Sequence, residues 1–174
     1  MLRSLLVPAF ALGALTYLPS HPRSAALDDP TIVAIFDAAN TYDVETSGLA
    51  LQKSHTKAVR DLAQQFANDH KAVRQQGRDL ATKLGVTPTP PKDFALAQEH
   101  VKALKELRSK SGADFDKAYV AHEIAYHQAV IDALNSTLIP AIQNPELKAF
   151  VEKIAPAFQG HLEGAKALQK RLTA

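Results

Sequence analysis

Between Leu62 and Val73 the chain reads LAQQFANDHKAV. Leu62, Phe66 and Val73 recur at the spacing of one face of an amphipathic helix, and the position that continues their stripe is His70. Comparable stripes run along most of the chain. Asp28-Asp29-Pro30 predicts a capped helix start with proline at the first helical position, and the helix reaches about Lys53 with Ile32, Ile35, Phe36, Tyr42 and Leu49 as core candidates. Ser54 or Thr56 caps a second helix that ends at Leu84, where Gly85 stops it. VTPTPPKD (86–93) cannot be regular helix. A shorter helical segment spans about Phe94–Lys110 and breaks at Ser111-Gly112. The next helix starts near Asp114 with Phe115, Val120, Ile124, Ile131 and Leu134 inward, and Pro140 should kink or end it. Asn144-Pro145-Glu146 opens the last helix, which carries Leu147, Phe150, Ile154, Phe158, Leu162, Leu168 and Leu172; Pro156 should bend it locally.

Two helical pairs with short links, joined by a long Pro-rich crossover between helices two and three, predict an all-α, ferritin-like four-helix bundle. The 174 residues suffice for one such domain. Scarce Gly, no Trp and no β-branched runs agree with helix over strand. The chain has no Cys, which excludes disulfides, thiolate metal sites, iron–sulfur clusters and a cysteine nucleophile.

The N-terminus changes the reading of charge. Arg3 precedes an apolar segment from Leu5 to about Leu18, and Ser24-Ala25-Ala26 offers small residues of the kind a signal peptidase reads. Pro8 and Gly13 interrupt the segment, which is shorter than the ~20 residues of a spanning helix. The expectation is a secretory signal over 1–26, a bundle over 27–174, and a periplasmic location without a transmembrane helix in the mature chain. The formal charge of +2 includes Arg3 and Arg23; without them basic and acidic residues balance at 18 each. With no basic face and no interleaved aromatics, the composition argues against a nucleic-acid partner. Peripheral association with the envelope is compatible with the amphipathic helices, and no protein partner is specified.

Three histidines interrupt apolar stripes on three helices. His70 follows Phe66 by one turn, His127 lies between Ile124 and Ile131, and His161 lies between Phe158 and Ala165. On the first helix Glu45 falls between Tyr42 and Leu49. Such groups are costly to bury alone and less so together. His127 and His161 each stand 17 residues from Asn144, so they share a level in the bundle. Glu45 is offset from His70 by roughly 8 Å of helical rise, and Asn40 is the residue level with His70. Neutral imidazoles from different helices suit zinc, copper or iron. Glu123, one turn before His127, is a further ligand candidate or a partner that orients the ring. The alternative is a polar layer whose histidines satisfy one another, tyrosines or water.

ETSGLA (45–50), LAQQFANDHKAV, AYVAHEIAYHQAV (118–130) and PELKAFVEKIAPAFQGHLEGAKAL (145–168) together resemble the DUF4142 family over nearly all of the expected mature chain. The resemblance implies an exported bacterial helical bundle of the ferritin-like superfamily, periplasmic or outer-membrane associated, with no assigned activity. It matches His70, His127, His161 and the acidic Glu45 to positions of the family pattern. Thr56-Lys57 stands where the family commonly has Asn-Pro. YHQAVIDAL is also similar to a short pattern of the DUF305 family, which is associated with copper handling.

No Glu-x-x-His occurs, and positions 67, 124 and 158 are Ala, Ile and Phe, which argues against a carboxylate-rich di-iron oxidase. His122 and His127 are five residues apart and cannot share a helix face as in a zincin motif. No nucleophile–base pair, phosphate loop or cofactor fingerprint is present, so the reading favours a binding or structural protein over an enzyme. Its candidate ligands are His70, His127, His161, Glu45 and Glu123.

Overall fold

The computed structural model describes residues 27–173, so the expected signal segment lies outside the described residues. Helix α1 (Asp29–Lys53) starts as the capping pattern predicts, with the Asp28 carboxylate accepting the Thr31 N–H at 2.9 Å. Helix α2 (Lys57–Leu84) ends at Gly85, whose φ of 66° lets the Val86 N–H fold back onto the Ala81 carbonyl. The Pro-rich crossover follows, pinned to the start of α1 by Thr89 N–H donating to the Pro30 carbonyl. It carries a short helix, α3 (Ala95–Ser109), which lies against α1 and α4 (Gly112–Ala133).

Pro140 acts before it is reached. From Leu134 to Leu138 the chain widens into a π turn, and the Ile139 N–H reaches back five residues to Leu134. A proline ring crowds the carbonyl four residues earlier and offers no N–H, and a widened turn relieves both effects. One last turn, Ile139–Ala141, ends the helix. Helix α5 (Pro145–Thr173) begins with the Asn144 side chain accepting the Glu146 and Leu147 N–H groups, and it runs on through Pro156.

The architecture is the expected all-helical bundle: α1 pairs with α2, α4 with α5, and the pairs meet through α2 with α5 and α1 with α4. Its ends are tied by polar contacts. Asp29 accepts the Gln143 and Asn144 N–H groups at 2.9 Å, and Lys53 donates to the Leu107 and Arg108 carbonyls. Among the described residues no helix is long and apolar enough to cross a membrane.

Two apolar clusters make up the core. One gathers Ile32, Phe36, Leu134, Leu147, Val151 and Phe158 around the α4–α5 link. The other gathers Val59, Ala63, Phe115, Tyr119, Val120 and Leu168 at the opposite end. Between them, beside the buried Phe66, lies a group of buried polar residues: Asn40, Asp43, Thr46 and Ser47 on α1, His70 on α2, Glu123 and His127 on α4, and His161 on α5. Ile35, Tyr42, Leu49, Ile124, Ile131, Phe150 and Leu172, expected in the core, are only partly buried. On α1 the inward stripe is Phe36–Asn40–Asp43–Ser47–Ala50, while Tyr42 faces the crossover and packs on Phe94 and His100.

Candidate metal centre

The three stripe histidines meet. His70 Nε2, His127 Nε2 and His161 Nδ1 form a triangle with sides of 3.4, 3.3 and 3.2 Å. His127 is wholly buried, and His70 and His161 nearly so. Phe66, one turn before His70, stacks on His161 at 4.3 Å, and Phe158 packs edge-on against His70 at 5.3 Å. These rings fix the imidazole planes and keep bulk water away.

The outer nitrogen of each ring decides the proton's position. His70 Nδ1 lies 2.8 Å from Asn40 Oδ1, and Asn40 Nδ2 donates to the Phe36 carbonyl, so the amide presents its oxygen to the ring. His127 Nδ1 lies 2.9 Å from the Glu123 backbone carbonyl. His161 Nε2 lies 3.0 Å from the half-exposed Asp69 carboxylate. All three partners are acceptors, so each outer nitrogen carries the N–H and each inner nitrogen keeps its lone pair. Burial holds His127 down at about 4 and His70 lower still, and lowers His161 against the opposing pull of Asp69. At neutral pH three unprotonated nitrogens therefore face one point, and none can donate to another.

That point is about 1.9 Å from all three nitrogens, close to the ~2.0–2.1 Å of a zinc–imidazole bond. His70, His127 and His161 would hold such an ion through these three nitrogens. The donor set, the tautomers and the spacing fit a transition-metal ion. Asp43, Glu123 and His127 form a second buried group with ligand-compatible spacing.

The carboxylates divide. Glu45 was expected on the interior face, but its side chain is half exposed and accepts from His100 Nε2 at 2.7 Å, with His100 stacked on Tyr42. The structure does not bring it to the histidines. Tyr42 and Leu49 look like core residues because α3 covers that side of α1, and Glu45 lies on the covered flank. Glu123 is inside: its Oε1 accepts the Thr46 hydroxyl at 3.0 Å, while its Oε2 has no partner and lies 3.6 Å from His127 Nδ1. Burial, with the charge of Asp43, pushes Glu123 well above the usual carboxylate range.

Sequence reasoning missed Asp43. Its side chain is wholly buried, its Oδ2 has no hydrogen-bond partner, and burial pushes it up to about 7. The available signal was the four-three-four-three spacing from Phe36 to Ala50, a complete interior stripe made of small and polar residues. Asn40, level with His70 by the helical count, holds that ring's outer nitrogen, and Asp69, which the apolar spacing does not mark, holds that of His161.

Residues 17–168 match the family model described as a domain of unknown function, DUF4142. Among solved structures, the crystal structure of a DUF305 fragment from Deinococcus radiodurans is similar, with a TM-score of 0.69 over 82% of this chain and 95% of that one. Sequence identity is 16%, so the likeness is one of fold. No curated protein matches the chain.

Proposed function

The chain belongs to the DUF4142 family, and from that premise we propose that it is a metal-holding helical bundle whose ion is bound by His70, His127 and His161. The observation that carries the reading is the convergence of three buried imidazole nitrogens, each made a lone-pair acceptor by its outer partner. Buried acceptors that face only one another are unfavourable, and a cation at their centre removes the conflict. Asn40, Asp69 and the Glu123 carbonyl orient the ligands, as the outer partners of metal-bound histidines do. The N-terminal pattern of Arg3, the apolar segment and Ser24-Ala25-Ala26 supports an exported protein of the periplasm or envelope. The role is holding or buffering a transition metal such as zinc, copper or iron, rather than turnover.

A structural polar layer is the competing reading. It is favoured by the Thr46–Glu123 and Ser47–Tyr119 hydrogen bonds, which need no ion. Metal analysis of the purified protein after reconstitution with zinc or copper, beside His127→Ala, separates the two. One equivalent bound by the parent and lost in the variant supports the centre. Equal metal content in both leaves only the structural layer.

A further inference from the structure

Among the described residues Asp43 is the buried carboxylate that reaches the inner nitrogens of His70 and His127. Its Oδ2 stands 3.4 Å from His70 Nε2 and 3.6 Å from His127 Nε2, and the side chain has no exposure to solvent. Neither nitrogen has a proton to give, because both rings carry theirs on Nδ1. Among the described residues the hydroxyl that reaches Asp43 is that of Ser47, at a long 3.4 Å to Oδ1. Oδ2 has no hydrogen-bond partner and is turned toward the edge of the triangle between His70 and His127.

Along the His70–His127 edge the carboxylate stands at the spacing of neighbouring ligands. Ligands on a tetrahedral zinc ion at ~2.0–2.1 Å lie about 3.3–3.5 Å from one another. The nitrogen–nitrogen sides are 3.2–3.4 Å, and the oxygen lies 3.4 and 3.6 Å from the His70 and His127 nitrogens, with His161 the most distant of the three. We infer that Asp43 Oδ2 is the fourth ligand, closing a three-histidine, one-carboxylate site for a divalent ion of the zinc class. This rests on the histidine reading above and sharpens it in two ways. A hard anionic oxygen favours a divalent ion over monovalent copper, which prefers soft or purely imidazole ligands. Four protein ligands also leave no open position for substrate or water, so the ion is resident and not a Lewis-acid catalyst.

The test uses the parent protein, Asp43→Asn, Asp43→Ala and, as a control on a carboxylate outside the centre, Glu45→Ala. Each is titrated with cobalt(II), read by visible absorption, and with zinc by competition against a chelating dye. The expected result is one cobalt equivalent with the intense bands of a four-coordinate ion in the parent and in Glu45→Ala. Both Asp43 variants should weaken those bands and lose at least about tenfold in zinc affinity. Asp43→Asn should fold, because its amide N–H can donate to the lone pairs that the carboxylate cannot satisfy. Asp43→Ala guards against weak ligation by the asparagine oxygen. Cobalt bands and zinc affinity within twofold of the parent in both variants would overturn the fourth ligand and leave the three-histidine centre standing. A parent protein that binds neither zinc, cobalt nor copper would overturn both.

Discussion

Replacing His127 with leucine should reverse the stability order of parent and variant according to whether metal is present. His127 is wholly buried, with its ring centroid 5.0 Å from Phe66 and 6.2 Å from Phe158, so a leucine of similar volume finds apolar neighbours. The substitution removes the His127 Nδ1–H bond to the Glu123 carbonyl, worth about 1 kcal/mol. It also removes one of the converging acceptors and buries an aliphatic side chain, worth about 2 kcal/mol. Metal-free His127→Leu should therefore be more stable than the parent by roughly 1 kcal/mol, a rise in Tm of about 2–4 °C for a chain of this size. Zinc at 100 times its Kd stabilises the parent by about 2.7 kcal/mol and does nothing for the variant, so the order inverts. Thermal melts followed by circular dichroism, in chelator and in zinc, read both limits. The reasoning is refuted if the metal-free variant loses 2 kcal/mol or more and zinc moves neither protein. That result is the signature of histidines already satisfied by one another.

Asn40→Leu leaves every candidate ligand in place but frees His70 to carry its proton on either nitrogen. Zinc affinity should fall by about 10- to 100-fold, measured by competition titration. Glu45→Ala should leave zinc affinity within twofold, since Glu45 pairs with His100 at the surface; a large loss would place the ion elsewhere. The metal-free protein should lose stability on acidification below about pH 6.5. There the unfolded chain protonates His70, His122, His127 and His161, all of which the fold holds below their ordinary value by burial. Asp43 and Glu123, both raised by burial, protonate first in the folded state and oppose the loss in the same window. Unfolding thus takes up at most about two protons, a slope of up to about 2.7 kcal/mol per pH unit, readable as falling urea midpoints between pH 7 and pH 5.

The histidines were legible because each stands alone where an apolar residue continues a stripe. Counting back from Asn144 placed His127 and His161 level, and the structure puts their nitrogens 3.3 Å apart. The count that set Asn40 level with His70 likewise anticipates their 2.8 Å contact. Glu45 misled because α1 has two covered sides: the bundle covers one, and the crossover helix covers the other. A periodicity argument sees covering, not which neighbour does it. Asp43 lies on the true interior stripe, yet between Phe36 and Ala50 that stripe holds only small or polar residues, so no apolar spacing marks it. Pro140 announces the end of α4, but the π turn that accommodates it depends on how the backbone shares strain over five residues.

The division of the core into two apolar clusters bears on how the protein opens. Within each cluster, loss of one contact loosens its neighbours; between the clusters, the strain must pass through a layer whose acceptors face one another. An ion held by α2, α4 and α5 at that height, as proposed, would join the two halves into one cooperative unit. Without it, amide exchange near the α4–α5 link and near the α1–α2 link should follow two separate opening equilibria, readable by hydrogen exchange in chelator and in zinc. Metal supply would then act as a clutch on the protein's mechanical unity.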